Sequence, residues 1–282
     1  MTNKKLSQNI GQAVIYFVLT VGVLFWLIPF AWMFLASLKP TDEIFTRLWP
    51  TRFTLEHYQL ILQGGTALHR PFLRSVFNNF FVSAVATASI IVIGALTGYA
   101  LGRLEFKGRD LLYNTILYQM VFPGILFLIP TFLLVMNMGL VNTYPGMFIR
   151  FLADATAVFL FTQFFRTIPS DLIDAARVDG AGELTILWRI MIPLSGSVTA
   201  FVAIFNFQAR WNEFLWNLIV AKKYDLMTLP VLLASFTHEY GGGRWAGARM
   251  AGATVLTLPI LILFVLARRF FEEGIVTSGL KG

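Results

Sequence analysis

Long stretches without a charged residue constrain this 282-residue chain more than any other feature of its sequence. Such stretches cover residues 6–38, 75–102 and 250–267. A helix of about 20 apolar residues crosses the hydrocarbon core of a bilayer, so each stretch can cross it once. The chain as a whole is 57% hydrophobic and only 13% charged. We therefore predict an all-α integral membrane protein.

The remaining apolar sequence completes the predicted membrane domain. The uncharged run 111–149 is too long for one span, and the turn-rich sequence 139–146 divides it. Isolated polar residues interrupt the apolar sequence that follows. We predict a single domain over residues 1–282 with an external loop at 39–74. Its six transmembrane helices are predicted at 11–38, 75–102, 111–136, 147–165, 194–221 and 250–267.

The distribution of lysine and arginine predicts the orientation. An even number of spans places both termini on one side, and the basic residues of that side lie in short segments close to helix ends. We therefore expect a multi-pass membrane protein with both termini, including a tail at 268–282, in the cytoplasm. The first apolar run is too long for a signal peptide. The net charge of +7 fits loops beside anionic lipid and does not predict nucleic-acid binding.

A polar island lies between the predicted fourth and fifth spans, over residues 170–192. Ser170 is a suitable N-cap, and Gly180 and Gly182 suit left-handed stop positions. These signals predict a short helix over 171–179 and a second helix from Glu183 towards Pro193. A short capped helix held at one face of a membrane is suited to docking onto another protein.

The island resembles the EAA loop of ABC importer permeases, in which Glu-Ala-Ala is followed by a glycine and later a proline. Asp174 replaces the usual glutamate and keeps its charge. The resemblance implies a cytoplasmic coupling helix that contacts an ATP-binding subunit. The matching positions are Asp174, Ala175, Ala176, Asp179, Gly180, Ala181 and Pro193.

The most polar part of any predicted span is 206–217. A charge at mid-membrane is costly and should face protein or water. Four polar residues three or four positions apart form one stripe of a continuous helix: Asn206, Arg210, Glu213 and Asn217. Two interpretations are open: Arg210 and Glu213 neutralise each other as a pair, or the stripe lines a polar path for substrate. Weaker candidates for lining such a path are Asn114, Gln119 and Gln163. The predicted path residues are Asn206, Gln208, Arg210, Trp211, Asn212, Glu213, Asn217 and Asp154.

The resemblance extends over residues 71–282 to carbohydrate ABC permeases, and in particular to the second permease subunit of maltose-type importers. Residues 211–218, WNEFLWNL, resemble a signature of that family, with Asn217 in place of the usual proline. Family members commonly lack a cation at the position of Arg210, which leaves open an acidic sugar as substrate. A guanidinium suits a carboxylate because its planar fork donates two parallel bonds.

The resemblance also implies a location in the bacterial cytoplasmic (inner) membrane, a mechanism and partners. The chain would import a sugar or oligosaccharide by ATP-driven alternating access, as one half of a pore. Its partners would be a second homologous permease subunit, two ATP-binding cassette subunits and an extracytoplasmic solute-binding protein, together with the sugar and membrane lipid. ATP and Mg would bind the partner subunits, and this chain itself would hold no cofactor.

Enzyme chemistry finds no support in the sequence. The chain has no phosphate-loop motif, no cysteine and no Ser/His/Asp arrangement, and His57, His69 and His238 lack metal-ligand spacing. We therefore predict no catalytic and no metal residues. A secondary transporter with Asp154 or Glu213 as a proton relay is the rival interpretation. The two differ because an ion-coupled carrier needs no coupling helix.

Glycine and proline positions add three expectations about the helices. Gly94, Gly98 and Gly102 form a smooth stripe, which favours packing within the chain over a dimerisation face. Pro123 and Pro130 should kink the third span. The glycines of the tail at 268–282 predict a flexible polar segment that reaches the ATP-binding subunits.

Overall fold

Helices form all the regular structure in the described part of this protein. The computed structural model describes the backbone of residues 2–63, 71–238 and 245–279, and side chains over 11–63, 71–236 and 245–266. His69 and the last three residues of the predicted tail lie outside the described residues. The prediction of an all-α protein is confirmed.

Three helices are long and apolar enough to cross a membrane without a break. They are the apolar parts of α1 (Thr2–Ser37), α3 (Phe72–Arg103) and α14 (Ala246–Gly279). Three bent pairs satisfy the same test together: Arg109–Val121 with Gly124–Asn137 at 97°, Tyr144–Phe151 with Ala155–Thr167 at 47°, and Glu183–Leu194 with Gly196–Trp211 at 83°. The described residues therefore hold three candidate spans, or up to six if each bent pair is one span.

The third predicted span bends at one of its two prolines only. Helix α4 (Arg109–Val121) ends before Pro123, and a 3₁₀ turn (Gly124–Phe127) leads into α5 (Leu128–Asn137). Pro130 lies in the first turn of α5, where a missing backbone N–H costs no helical hydrogen bond. The expected kink at Pro130 is therefore wrong.

The fourth predicted span consists of α6 (Tyr144–Phe148), a 3₁₀ turn (Ile149–Phe151) and α7 (Ala155–Thr167). The turn before it is confirmed: Gly139 and Asn142 have φ of 69° and 61°. Asn142 Oδ1 accepts hydrogen bonds from the backbone N–H groups of Lys222 and Lys223 at 2.7 and 3.1 Å.

The fifth predicted span is not one helix. Helix α11 (Gly196–Trp211) ends before Asn212, and α12 (Leu215–Val220) follows as a separate element, with α13 (Leu229–His238) as the next helix in the chain. The predicted stripe from Asn206 to Asn217 is therefore interrupted, because residues three and four apart share a face only while the helix continues.

The predicted flexible tail is wrong over residues 268–279, where the backbone continues α14. The residues after Arg269 include good helix formers such as Glu272 and Glu273 and no proline, and the isolated Gly274 does not end the helix.

The chain divides into two compact units. The first comprises Met1–His69 with Leu233–Thr257, and the second comprises Arg70–Leu232 with Leu258–Gly282. In the first unit the large apolar side chains along α1 are exposed, with Trp26 at 74%, which suits contact with lipid.

The predicted external loop at 39–74 contains folded elements of the first unit. A 3₁₀ turn (Thr41–Glu43) and α2 (Glu56–Leu62) lie within it. Lys39 is fully buried and donates from Nζ to the carbonyl oxygen of Arg47 at 2.7 Å. His57 is also buried, and its Nε2 lies 2.9 Å from the carbonyl oxygen of Lys39.

In the second unit the glycine stripe of α3 packs against α7. A Cβ at Gly98 would lie 2.6 Å from Phe161 Cβ, and one at Gly94 would lie 3.2 Å from Ala157 Cβ. The core beside this contact includes Tyr99, Phe165 and Leu187. The stripe serves packing within the chain, as predicted.

Candidate functional site

The polar island forms helix α8 (Ser170–Val178), close to the predicted range. Its N-cap is Pro169, and no side chain caps the first turn. The prediction that Ser170 is the N-cap is wrong, because Ser170 is already the first helical residue.

Helix α8 ends at Gly180 in a Schellman motif. Gly180 has a φ of 82° and donates from N to the carbonyl oxygen of Arg177 at 3.0 Å. Ala181 N donates to the carbonyl oxygen of Ala176 at 2.9 Å, which is the second bond of this motif. The left-handed stop is confirmed at Gly180 and is wrong at Gly182, whose φ is −76°.

The two faces of α8 differ in exposure. Ile173 and Ala176 are buried in the core that contains Ile186 and Leu187. The opposite face is open, and Val178 is 87% exposed. Ala181 is half-buried. The remaining predicted coupling positions are exposed: Asp174, Ala175, Asp179, Gly180 and Pro193.

A second helical segment packs beside α8. It runs from α9 (Glu183–Ile186) through a π turn (Leu187–Met191) to α10 (Ile192–Leu194), as predicted from Glu183 towards Pro193. The buried face of α8 packs into the core that this segment shares. This packing holds the exposed residues of the opposite face in a fixed position.

A chain of polar contacts that the sequence did not reveal joins α8 to α3. The Tyr99 hydroxyl donates to the Glu183 carboxylate, whose Oε1 accepts from Arg177 Nε at 3.0 Å. Arg177 also donates to Asp174 Oδ1 at 3.3 Å. The hydrogen bond to Glu183 raises the pKa of Arg177 above its ordinary value, so this group stays cationic. A spacing of 84 residues separates Tyr99 from Glu183, and no local pattern signals such a contact.

A polar cavity of about 460 Å³ lies in the second unit, where the bent helices break. The 3₁₀ turns after Pro123 and at Ile149–Phe151 supply part of its wall. Residues of α3, α4, α5 and α11 and of the N-terminal end of α7 supply the rest. It is lined by Ile90, Gln119, Gly124, Phe127, Thr131, Arg150, Phe151, Ala153, Asp154, Asn206 and Arg210.

Only some of the predicted path residues line this cavity. Asp154, Asn206 and Arg210 do so, together with the weaker candidate Gln119. Elsewhere, Gln208 and Asn212 are exposed, Glu213 is half-buried, and Trp211 and Asn217 are buried in packing. Arg150 and Phe151 also line the cavity, and neither was predicted to do so from the sequence; a cation inside the predicted span 147–165 was the available signal for Arg150.

The carboxylates of Asp154 and Glu213 hold helix ends. Asp154 Oδ1 accepts from the N–H of Ala157 at 2.8 Å and so caps α7. Glu213 Oε1 accepts from the N–H of Trp216 at 3.0 Å at the start of α12.

Arg210 lies against an aromatic ring. Its Cζ is 3.9 Å from the centroid of Phe151, a cation–π contact, and its buried Nε has no hydrogen-bond partner in the described part of the chain. The ion pairs recorded among the described residues do not include one between Arg210 and Glu213.

Two of the weaker candidates for the substrate path, Gln163 and Asn114, do not line the cavity. Gln163 Nε2 donates to the Tyr113 hydroxyl at 2.5 Å, and Asn114 is exposed. Over the described residues no group of three or more His, Cys, Asp or Glu side chains is arranged to hold a metal ion.

Comparison with known proteins identifies the family. The model of the family described as "Binding-protein-dependent transport system inner membrane component" matches residues 90–277. The chain belongs to this family. This transport component is thus a multi-pass membrane protein, and the resemblance to importer permeases found in its sequence is confirmed.

Relatives of this transport component match it over nearly their whole length. The arabinooligosaccharides transport system permease protein AraQ of Bacillus subtilis (strain 168) is 30% identical over 264 residues, 92% of each chain. The trehalose transport system permease protein SugB of Mycobacterium tuberculosis (strain CDC 1551 / Oshkosh) is 32% identical over 268 residues, 93% of this chain and 95% of that protein.

A solved structure shares the fold of this transport component. A chain of a bacterial ABC transporter involved in the import of the acidic polysaccharide alginate matches with a TM-score of 0.83. The match covers 94% of this chain and 98% of that chain at 23% sequence identity.

Proposed function

We propose that this protein is one half of the pore of an ABC importer that moves a sugar or oligosaccharide across the cytoplasmic membrane. The observation that carries the proposal is helix α8, which is anchored by Ile173 and Ala176 and presents Asp174 and Asp179 outward. The relatives support the substrate class, since AraQ is named for arabinooligosaccharides and SugB for trehalose.

In this proposal the six spans of a single transmembrane domain are α1, α3, α4 with α5, α6 with α7, α11 with α12, and the apolar part of α14, and both termini lie in the cytoplasm. Helix α8 then lies in a cytoplasmic coupling loop between the fourth and fifth spans. Asp174, Ala175, Ala176, Asp179, Gly180, Ala181 and Pro193 form the contact region for an ATP-binding subunit, with Ala176 serving as its buried anchor.

The mechanism is alternating access driven by partner subunits. Two ATP-binding cassette subunits bind ATP and Mg, and their closure moves α8 and the core attached to it. A second homologous permease subunit completes the pore, and an extracytoplasmic solute-binding protein delivers the sugar. This chain supplies the path and no ATPase site. The polar cavity of about 460 Å³ is the part of the path within this chain.

The rival function, a proton-coupled carrier, is less well supported. It requires Asp154 or Glu213 to exchange protons with the cavity, yet each carboxylate accepts a hydrogen bond from a backbone N–H at a helix start. Each carboxylate thus has a structural role at the start of a helix, and Glu213 does not line the cavity.

The test is ATP-driven sugar uptake by the complex reconstituted in liposomes, compared between the wild type and Gly180→Val. A β-branched residue at the φ of 82° is strained by about 1–2 kcal/mol, so the end of α8 should rearrange while the protein still inserts. We expect sugar uptake to be lost with ATP hydrolysis no longer coupled to it.

Gly22→Val is the matched control, because Gly22 lies within α1 with nothing within 4 Å of an added Cβ. It should leave uptake unchanged. Normal uptake by Gly180→Val, or uptake driven by a proton gradient in the absence of ATP, would contradict the proposal.

A further inference from the structure

Two guanidinium groups from distant parts of the chain meet at one aromatic ring in the cavity. Arg210 comes from the last turn of α11, and its Cζ lies 3.9 Å from the centroid of Phe151. Arg150 comes from the 3₁₀ turn Ile149–Phe151, and its Cζ lies 5.8 Å from the same centroid. Both arginines line the cavity.

Among the described residues, few groups accept hydrogen bonds from these arginines. Arg210 Nε is buried and has no hydrogen-bond partner among the described residues. Arg150 donates to the carbonyl oxygen of Gly124 at 2.9 Å, which uses one of the several N–H donors of its guanidinium. A buried donor without a partner is unfavourable, so an acceptor that enters the cavity gains by pairing with it.

The charges of the cavity wall do not balance. Asp154 is the one carboxylate among the lining residues, and its Oδ1 already accepts from Ala157 N. Two arginines against one carboxylate make the wall itself cationic. The Glu213 carboxylate lies within electrostatic reach of both arginines but does not line the cavity and accepts from Trp216 N. Such a cationic wall favours an anion over a neutral molecule of the same size.

The remaining wall suits a sugar. Gln119, Thr131 and Asn206 carry amide and hydroxyl groups that pair with sugar hydroxyls. The rings of Phe127 and Phe151 supply apolar surface for the C–H faces of a pyranose. Arginine pairs with a carboxylate through two parallel hydrogen bonds, and the orientation of each guanidinium is held by an aromatic ring.

We propose that Arg150 and Arg210 together bind the carboxylate of a uronic-acid residue in an imported oligosaccharide. This inference rests on the proposed function, since it assigns a substrate class to the same path. The sequence pointed to Arg210 alone, and the inference adds Arg150 as a second cation. It also assigns Phe151 the role of holding the guanidinium of Arg210 in place.

The experiment uses the importer complex purified with its ATP-binding subunits and second permease, and the binding protein is added for the uptake measurement. Direct binding to the detergent-solubilised complex lacking the binding protein is measured by calorimetry, with three probes: trigalacturonate, a neutral galactose trisaccharide, and glucose 6-phosphate. ATP-driven uptake is then measured in liposomes with oligosaccharides of galacturonic and glucuronic acid and with neutral sugars.

We expect trigalacturonate to bind more tightly than the neutral trisaccharide. Arg210→Gln and Arg150→Gln should each weaken that binding about tenfold or more, because a charge-assisted pair is lost. Arg210→Lys should fall between wild type and Arg210→Gln, since it keeps the charge but not the fork. Thermal unfolding of each variant shows whether it is folded.

Arg74→Gln is the matched control. Arg74 lies in α3 with its Cζ 5.6 Å from the ring of Phe77, and it is exposed and does not line the cavity. It should bind trigalacturonate as the wild type does.

Several outcomes would overturn the inference. Equal binding of acidic and neutral trisaccharides, preference for glucose 6-phosphate, or an equal loss in Arg74→Gln would each do so. ATP-driven uptake of neutral sugars alone, unchanged in Arg210→Gln, would overturn it while the proposed function stands. Failure of the complex to import any sugar would instead overturn the proposed function.

Discussion

Arg177 Nε donates a hydrogen bond to Glu183 Oε1 at 3.0 Å, across the glycine turn that ends α8. The same carboxylate accepts from the Tyr99 hydroxyl on α3. Both partners of the Arg177–Glu183 pair are partly exposed, at 41% and 44% of their side chains. An exposed pair contributes about 0.2–1 kcal/mol to stability, so its main consequence is to hold α8 in a fixed relation to α3.

The hydrogen bonds of Glu183 with Tyr99 and Arg177 form a link between α3 and α8. Loss of this link should uncouple ATP hydrolysis from transport more than it destabilises the protein. We expect Tyr99→Phe and Glu183→Gln to lower the number of sugar molecules imported per ATP hydrolysed, with a loss of stability of about 1 kcal/mol. Both quantities are measured on the reconstituted importer. Tyr113→Phe is the control, since that hydroxyl bonds Gln163 away from α8; an equal effect of Tyr113→Phe would contradict a specific role for the link.

The close packing of α3 on α7 should make Gly98 intolerant of any side chain. A Cβ there would lie 2.6 Å from Phe161 Cβ and 3.0 Å from the backbone N of Thr162. We expect Gly98→Ala to destabilise the protein by about 1–3 kcal/mol, measured by thermal unfolding in detergent. Gly22→Ala, which meets nothing within 4 Å, should be neutral or slightly stabilising. Equal stability of the two variants would refute the packing assignment.

His57 should account for most of the cost of a substitution at Gly247. A Cβ at Gly247 would lie 2.0 Å from His57 Nε2, the atom that lies 2.9 Å from the carbonyl oxygen of Lys39. We expect Gly247→Ala to lower the free energy of unfolding by about 1–3 kcal/mol. In the background of His57→Ala the same change should cost much less, and a double-mutant cycle measures the difference. Additive effects would show that the two residues do not interact.

Acid should loosen the segment that Glu43 organises. Thr51 donates to the Glu43 carboxylate from both its N–H, at 2.8 Å, and its hydroxyl. Both hydrogen bonds lower the pKa of Glu43 below its ordinary value, and the bond from the Thr51 hydroxyl has the larger effect. A lowered pKa in the folded state stabilises the fold above the ordinary pKa, and this contribution is lost as the pH falls through the folded value.

Hydrogen exchange measures that effect at the Thr51 amide. After correction for intrinsic rates, exchange should quicken as the pH falls below about 4.5 in the wild type. Glu43→Gln should exchange faster at neutral pH and lose the pH dependence. A wild-type exchange profile that is flat with pH would exclude the carboxylate as the organising group.

The sequence alone determined the class of the protein and the position of helix α8. Apolar runs of membrane length predict spans because the bilayer core supplies no partner for an exposed charge, and α1, α3 and α14 follow from that rule. The region of α8 was also predictable, since a local turn such as the one at Gly180 depends on residues within a few positions of it.

The tertiary structure decided the cavity. Arg150 and Arg210 are 60 positions apart in the sequence, and they meet because the 3₁₀ turn Ile149–Phe151 lies against the last turn of α11. Helical periodicity assumed an unbroken fifth span and therefore placed Asn206 and Asn217 on one face. Long-range contacts such as Tyr99 with Glu183 depend on how helices pack, and packing is determined by the shapes of many side chains together rather than by any local pattern.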